Sequence, residues 1–315
     1  MIPVLVLVDH ADEAPRSAAL ELLTAARALG PVHAAWLGDG AQGALAALGD
    51  HGVVVVHEAP EAVLPGAVAA TLAALAASVG APTVLLTSTF ANKEVAAHLA
   101  HTMGAGLVVD ASGVSLEGGR VVTVQEAFEA TWTVRARVGV ERAVVTVKAN
   151  AVPASPVAAP TTPQLASRTE VAAGDGRVRV VERVPRESSG RPDLGEASVV
   201  VVGGRGTEGD FSPVFELADA LGGAVGATRD VTDEGWIGHE SMVGQTGTTI
   251  APRLYVGAGV SGAVHHRGGM QASGVVVAVN SDPDAPIFEF ADFGVVGDLF
   301  AVLPQAAEEI RRLKG

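Results

Sequence analysis

The chain has 315 residues, 48% of them hydrophobic but only 4% aromatic, and a formal charge of −14. That length exceeds the usual size of one hydrophobic core and predicts two domains, while the negative charge disfavours nucleic acid or an anionic membrane as partner. The absence of cysteine excludes disulfides, thiolate catalysis and Cys-ligated zinc or iron–sulfur sites.

Any redox chemistry must then come from a bound organic cofactor. The N-terminus MIPVLVLVDHADEAP has no basic region, and nothing approaches the ~20 apolar residues of a membrane helix. The expectation is a soluble, cytoplasmic protein without stable membrane insertion.

In chain order, Val-rich runs at Pro3–Val8, Val32–Leu37, Val53–Val56 and Thr83–Leu86 alternate with helical patterns at Pro15–Leu29, Gln42–Leu48, Ala67–Val79 and Asn92–Met103. Gly30 and Gly104 stand where helix C-caps are expected. Buried strands separated by helices predict βαβ units on a parallel sheet. From Leu107 the texture turns to strand-like runs, Val121–Val124, Thr131–Val138 and Ala143–Val147, read as an antiparallel extension of that sheet.

Residues 150–168 hold four prolines and read as no element interior. A last strand is expected at Val178–Val184, then a hinge in PRESSGRPDLGEA. The alternation restarts at SVVVVGGRG, with helices near Ser212–Leu221, Gly262–Met270 and Pro304–Leu313. The fold class is α/β in two domains, 1–188 with the antiparallel extension and 189–315 as a Rossmann-like sheet.

Two GxGxxG patterns follow predicted strands, Gly204-x-Gly206-x-x-Gly209 and Gly257-x-Gly259-x-x-Gly262, with Val243-Gly244-Gln245-Thr246-Gly247 between them. Such loops can aim backbone N–H groups and a helix N-terminus at phosphate. In a chain with 38 glycines they also read as three tight turns. Asn280 stands where a NAD-binding Rossmann domain carries its ribose-binding acid. Taken alone, Arg205 and Arg229 are surface ion-pair partners and His265–His266 an exposed helix start. His98 and His101 lie one helical turn apart without a third ligand nearby, the pattern of a solvated helix face.

In order, PDLGEASVVVVGGRG, AVGATRD, VGQTG, APRLYVGAGVSGAVHHRGGM and AVNSDPDAPIFEFADFGVVGDLF span residues 192–300. This series resembles the alpha subunit of the electron transfer flavoproteins, closely over 192–315 and in outline before it. The N-terminal half departs from the family at Phe90–Glu94 and at TVQEAFEA.

The resemblance implies an FAD bound in the C-terminal domain and a homologous beta subunit completing a heterodimer. Gly204, Arg205 and Gly206 match the loop near the pyrophosphate. Arg229 matches the arginine against the isoalloxazine ring, where positive charge favours an electron-bearing flavin, and Thr228 precedes it. Val243, Gly244, Gln245 and Thr246 match the loop beside the ring, with the threonine hydroxyl near N5. Gly259, Ser261 and Gly262 lead into the phosphate-facing helix. His266 matches the histidine near the ring C2 carbonyl, and Asn280 and Asp298 match the adenosine end.

The implied role is an electron carrier without a substrate of its own. It would take electrons from flavin dehydrogenases, those of fatty acid oxidation among them, and deliver them to a quinone-linked oxidoreductase. The competing readings are a NAD-dependent oxidoreductase domain, with His266 as acid/base, and a nucleotide-sensing module without redox role.

Overall fold

The computed structural model describes residues 2–11, 13–128, 131–166, 181–182 and 190–314. The chain divides into two compact units, Met1–Ala127 with Thr133–Pro185, and Phe128–Trp132 with Arg186–Gly315.

In the first unit the elements run β1 (Val4–Leu7), β2 (His10–Ala11), β3 (Ala14–Pro15), α1 (Ser17–Ala26), β4 (Val32–Leu37), α2 (Ala41–Asp50), β5 (Val53–Ala59), α3 (Pro65–Val79), β6 (Thr83–Thr87) and α4 (Phe90–Met103). There follow β7 (Gly106–Glu117), β8 (Arg120–Ala127), β9 (Trp132–Arg137), β10 (Ala143–Val147) and β11 (Gln164–Ala166). Nine of these strands form one sheet, in the order β11-β5-β4-β1-β6-β10-β7-β8-β9.

The central strands β1, β6 and β10 are covered on both faces, which is why they read as unbroken apolar runs rather than alternating ones. Val4 and Val6 point to the face where Leu22, Leu23 and Leu48 of α1 and α2 pack. Leu5 and Leu7 point to the face of Leu72, Leu75 and Leu99 from α3 and α4. Each leucine so buried contributes roughly 1.5–3 kcal/mol relative to exposure. Thr89 caps α4 by accepting from the Asn92 N–H at 3.1 Å, and Gly104, at φ 60°, ends it.

Several expectations are corrected. β10 does not belong to the antiparallel extension: it inserts between β6 and β7 and runs parallel to both, Ala143 standing opposite Thr83 and Gly106. The antiparallel extension begins at the step from β7 to β8, Glu117 opposite Arg120. The Pro-rich stretch does contain an element, because β11 pairs in parallel with β5. Gly30 is not a helix cap, since α1 ends at Ala26 and closes through a tight turn, Leu29 N–H donating to Ala26. The strand expected at Val178–Val184 lies outside the described residues except for 181–182, which carry no strand.

The second unit runs β12 (Val199–Gly203), α5 (Ser212–Leu221), β13 (Ala224–Ala227), α6 (Arg229–Asp233), β14 (Leu254–Ala258), α7 (Val264–Met270), β15 (Val275–Asn280), β16 (Phe293–Val296) and α8 (Leu299–Lys314). Its five strands are all parallel, in the order β13-β12-β14-β15-β16. α5 and α8 cover one face through Val214, Leu217, Leu303 and Ala307, and α7 covers the other through Met270. α8 starts at Leu299 rather than Pro304, because Asp298 accepts from the Phe300 N–H at 2.9 Å and caps it. β16 is an edge strand whose four residues are all exposed.

Two histidines meet on neighbouring strands of the first sheet. His33 Nδ1 and His57 Nε2 lie 3.0 Å apart, so one donates and the other accepts, an arrangement that cannot hold once both rings are protonated. Burial lowers the pKa of each, and His33 adds to the effect at His57. The unfolded chain therefore takes up protons first as pH falls below the ordinary histidine value, and stability falls with pH there. Urea unfolding between pH 7 and pH 5 should show a steeper loss in the natural chain than in His57→Asn.

Candidate functional site

β12 comes first in the chain of the second unit, β13 flanks it on one side and β14 on the other. The connections therefore part between β12 and β14, and in an open parallel sheet ligands bind beyond the strand ends at that switch point. The loops leaving β12 and β14 are the two glycine patterns of the sequence, and they touch backbone to backbone. Gly204 N–H donates to Ala258 O at 2.9 Å and Gly206 N–H to Gly259 O at 3.1 Å.

A Cβ on Gly204 would stand 2.3 Å from the Gly259 oxygen, and one on Gly206 2.7 Å from Gly259 Cα. Gly259, at φ +63°, would bring its own to 2.6 Å from Gly206 Cα. These glycines are required by loop-on-loop packing, and the N–H groups of Gly204 and Gly206 serve it rather than standing free for phosphate. This corrects the simple reading of the loops.

The side chains carried by that frame are exposed. Arg205 follows β12, with its Nε 3.5 Å from Asp230. Arg229 follows β13, with its Nε 3.1 Å from Asp233. Exposed pairs of this kind hold weakly, so both guanidinium groups can turn to an anion. Between the two strand ends Thr228 is buried, and its Oγ1 has no hydrogen-bond partner.

The Val243–Gly247 loop returns to the end of β13, where Val243 N–H donates to Ala227 O at 2.9 Å. It is tied to α7 by Gln245 N–H to His265 O at 3.0 Å. A Cβ on Gly269 would meet Gly244 Cα at 2.3 Å. Gln245 and Thr246 remain exposed at the tip of this loop.

Beyond β14, Ser261 is exposed, and its carbonyl accepts from Ile287 N–H at 2.9 Å. Gly262 does not begin a helix: it sits at φ +87° against the Ile287 backbone, and α7 starts at Val264. Asn280 ends β15 and donates to Val260 O at 2.9 Å while accepting from Asp282 N–H. Asn280 and Asp298 thus already hold local backbone, the latter as the α8 cap.

His266 is brought to the same loops but turned inward. Its Nδ1 lies 3.0 Å from Val243 O and its Nε2 2.7 Å from the Tyr255 hydroxyl. Burial lowers its pKa to about 4, against weaker opposing pulls from the Val243 carbonyl and Asp230, so the ring is neutral at physiological pH. Burial also raises the Tyr255 phenol pKa. Tyr255 went unnoticed in the sequence. The one available signal was a lone aromatic hydroxyl in a strand buried on both faces, which must find a partner.

The donors gathered at these strand ends suit an anionic, carbonyl-rich ligand: two exposed guanidinium groups, an unpartnered hydroxyl at Thr228, and the polar side chains of Gln245, Thr246 and Ser261. A dinucleotide with a pyrophosphate and a ring bearing carbonyls has that chemistry. Among the described residues no cluster of three metal-ligating side chains occurs, and His98 and His101 are exposed on α4.

A family model described as "Electron transfer flavoprotein domain" matches residues 4–182, and one described as "Electron transfer flavoprotein FAD-binding domain" matches residues 193–271. This chain belongs to the electron transfer flavoprotein alpha-subunit family. The "Electron transfer flavoprotein subunit alpha" of Mycobacterium leprae is 43% identical over 326 residues, covering 100% of both chains. The protein of that name from Mycobacterium tuberculosis is 44% identical over 326 residues with the same coverage. The one from Syntrophomonas wolfei is 35% identical over 320 residues, covering 98% of each chain.

The chain is therefore an electron transfer flavoprotein subunit, and its cofactor is FAD. The α/β class and the family read from the sequence are borne out, and the nicotinamide and sensor alternatives drop out. Among the described residues no helix is long and apolar enough to cross a membrane.

The packing at the switch point gives a direct test. Gly204→Ala has no room beside the Gly259 carbonyl and should destabilise the second unit by about 1–3 kcal/mol, with loss of FAD. Gly66→Ala on α3, where nothing lies within 4 Å of the new Cβ, should be neutral or slightly stabilising. Thermal unfolding and flavin-to-protein ratio of the two variants make the comparison.

Proposed function

We propose that this chain carries electrons as half of a heterodimer with a beta subunit. In that role it takes them from flavin dehydrogenases and passes them to a quinone-linked oxidoreductase, in the cytoplasm. Residues 1–188 serve as scaffold and partner-contact domain, and 189–315 as the FAD-binding domain. The observation that carries this reading is the convergence of the Gly204, Thr228, Val243 and Gly259 loops on the carboxyl ends of β12, β13 and β14.

Bound FAD supplies the reversible uptake of electrons; the protein supplies position and charge. Arg205 would hold the pyrophosphate through its guanidinium, with Ser261 and Gly262 as the other residues of that end of the site. Asn280 and Asp298 bound the adenosine. Gln245 and Thr246 stand beside the flavin ring. Arg229 would hold the flavin ring through its charge, and Thr228 would offer a hydroxyl that has no hydrogen-bond partner within the protein.

A guanidinium at that place would stabilise negative charge on the cofactor. The site holds little acid–base machinery. His266 is neutral with both nitrogens engaged, and Asp230 and Asp233 stand against arginines. That favours a carrier over an enzyme with its own substrate.

Two outcomes are expected. Co-expression with the beta subunit should give about one FAD per heterodimer, and this chain alone should hold less, because partner binding adds to folded-state stability by mass action. Flavin absorbance against protein concentration reads this, and a fully flavinylated stable monomer counts against the proposal. Arg229→Ala should lower the first reduction potential by about 60–130 mV, the equivalent of a charge-assisted hydrogen bond of roughly 1.5–3 kcal/mol. Spectroelectrochemical titration measures it, and an unchanged potential with FAD retained would place Arg229 away from the ring.

A further inference from the structure

α6 is a short helix, Arg229–Asp233, that follows β13. Asp230 and Asp233 lie three residues apart on it and so share one face. Each carboxylate meets one of the two guanidinium groups of the site, and each does so at Nε. Arg205 Nε stands 3.5 Å from Asp230, and Arg229 Nε donates to Asp233 at 3.1 Å.

The second pair is badly placed to serve the helix that carries it. A cation at the first helical position and an anion at the last both oppose the helix dipole, and arginine before aspartate at i, i+4 is the weaker order. The hold of α6 on its unit comes instead from Val231 and Thr232, which are buried. Both members of the pair are largely exposed, so the contact is weak as a bond. Its effect is directional: it keeps a long, rotamer-rich side chain in the arc where Nε faces α6. With Nε engaged the Nη groups remain, and among the described residues no other side chain bonds them.

We infer that Asp233 is a positioning residue for electron transfer: it holds Arg229 by Nε and leaves the Nη edge of the guanidinium for the cofactor. This role rests on the proposed place of Arg229 at the flavin ring. Asp233 then acts twice, with opposite signs. Its own charge disfavours an added electron, while its grip keeps in place the positive charge that favours one.

Substitution separates the two effects in the flavin-loaded heterodimer. Asp233→Asn removes the charge but keeps an acceptor oxygen for the Nε–H. Asp233→Ala removes both, and alanine is the better helix former, so α6 is not loosened by it. In spectroelectrochemical titration the first reduction potential of the Ala variant should lie below that of the Asn variant. The expected gap is about twofold to fivefold in the equilibrium constant, the range an exposed pair can hold, or about 18–41 mV at ~59 mV per tenfold. In the Arg229→Ala background the two substitutions should give the same potential, because the coupling vanishes with the partner.

Equal potentials for the Asn and Ala variants, or the Ala variant above, overturn the positioning role and leave Asp233 a charge at most. A gap that survives in the Arg229→Ala background overturns it as well, since Asp233 would then act through another group. Should Arg229→Ala by itself leave the potential unmoved with FAD retained, the place of Arg229 at the ring fails first, and the role of Asp233 falls with it.

Discussion

The second unit is organised around a contact that no side chain could make. Gly204 and Gly206 lie on Gly259 at distances that leave no space for a Cβ, directly over the point where the sheet connections diverge. A van der Waals fit of bare backbone is rigid, because backbone cannot shift rotamer to relieve a misfit. The same device recurs ten residues after Gly259, where Gly269 lies on Gly244. Arg205, Thr228, Arg229, Gln245 and Ser261 all project from loops whose roots are set in this way. The polar side chains do not build the frame; they are hung on it.

That division explains how the site can be exposed and still ordered. Its cations are balanced only by the surface carboxylates Asp230 and Asp233, so little stability depends on them. Its buried polar core is neutral, a phenol, an imidazole and a carbonyl in one chain of hydrogen bonds. Keeping charge at the surface and neutral donors inside avoids the desolvation cost that a buried ion pair would bring.

Strands were legible in the sequence wherever both faces are covered, because Val and Leu then run without interruption, as in Val4–Leu7 and Ala143–Val147. Their neighbours were not: nothing in AVVTV says that it enters the sheet between β6 and β7, since parallel partners are chosen by long-range packing. Pro304 reads as a helix start, yet the cap at Asp298 sets the true one. Each loop of the flavin site was visible as a motif. What remained hidden was that two of them pack on each other, Gly204 on Gly259, and that His266 faces inward to Val243 and Tyr255, because contacts at such separations leave no periodicity. The strand at Gln164–Ala166 was masked by prolines that flank it without entering it.

The last strand of the second sheet has a consequence for handling the protein. β16 ends the sheet with Phe293, Val295 and Val296 exposed, Phe293 by 66%. From Gly268 to Ile310 the sequence has no lysine or arginine, while Asp282, Asp284, Glu289 and Asp292 precede the strand and Asp298 follows it. An open apolar edge templates the addition of another strand, and here like-charge repulsion among carboxylates is the guard against it. Such repulsion is screened over about 8–10 Å at ordinary ionic strength. Salt therefore works against this chain in isolation: it weakens the guard while leaving the adhesive edge intact, and dilute buffer keeps the unpartnered subunit dispersed.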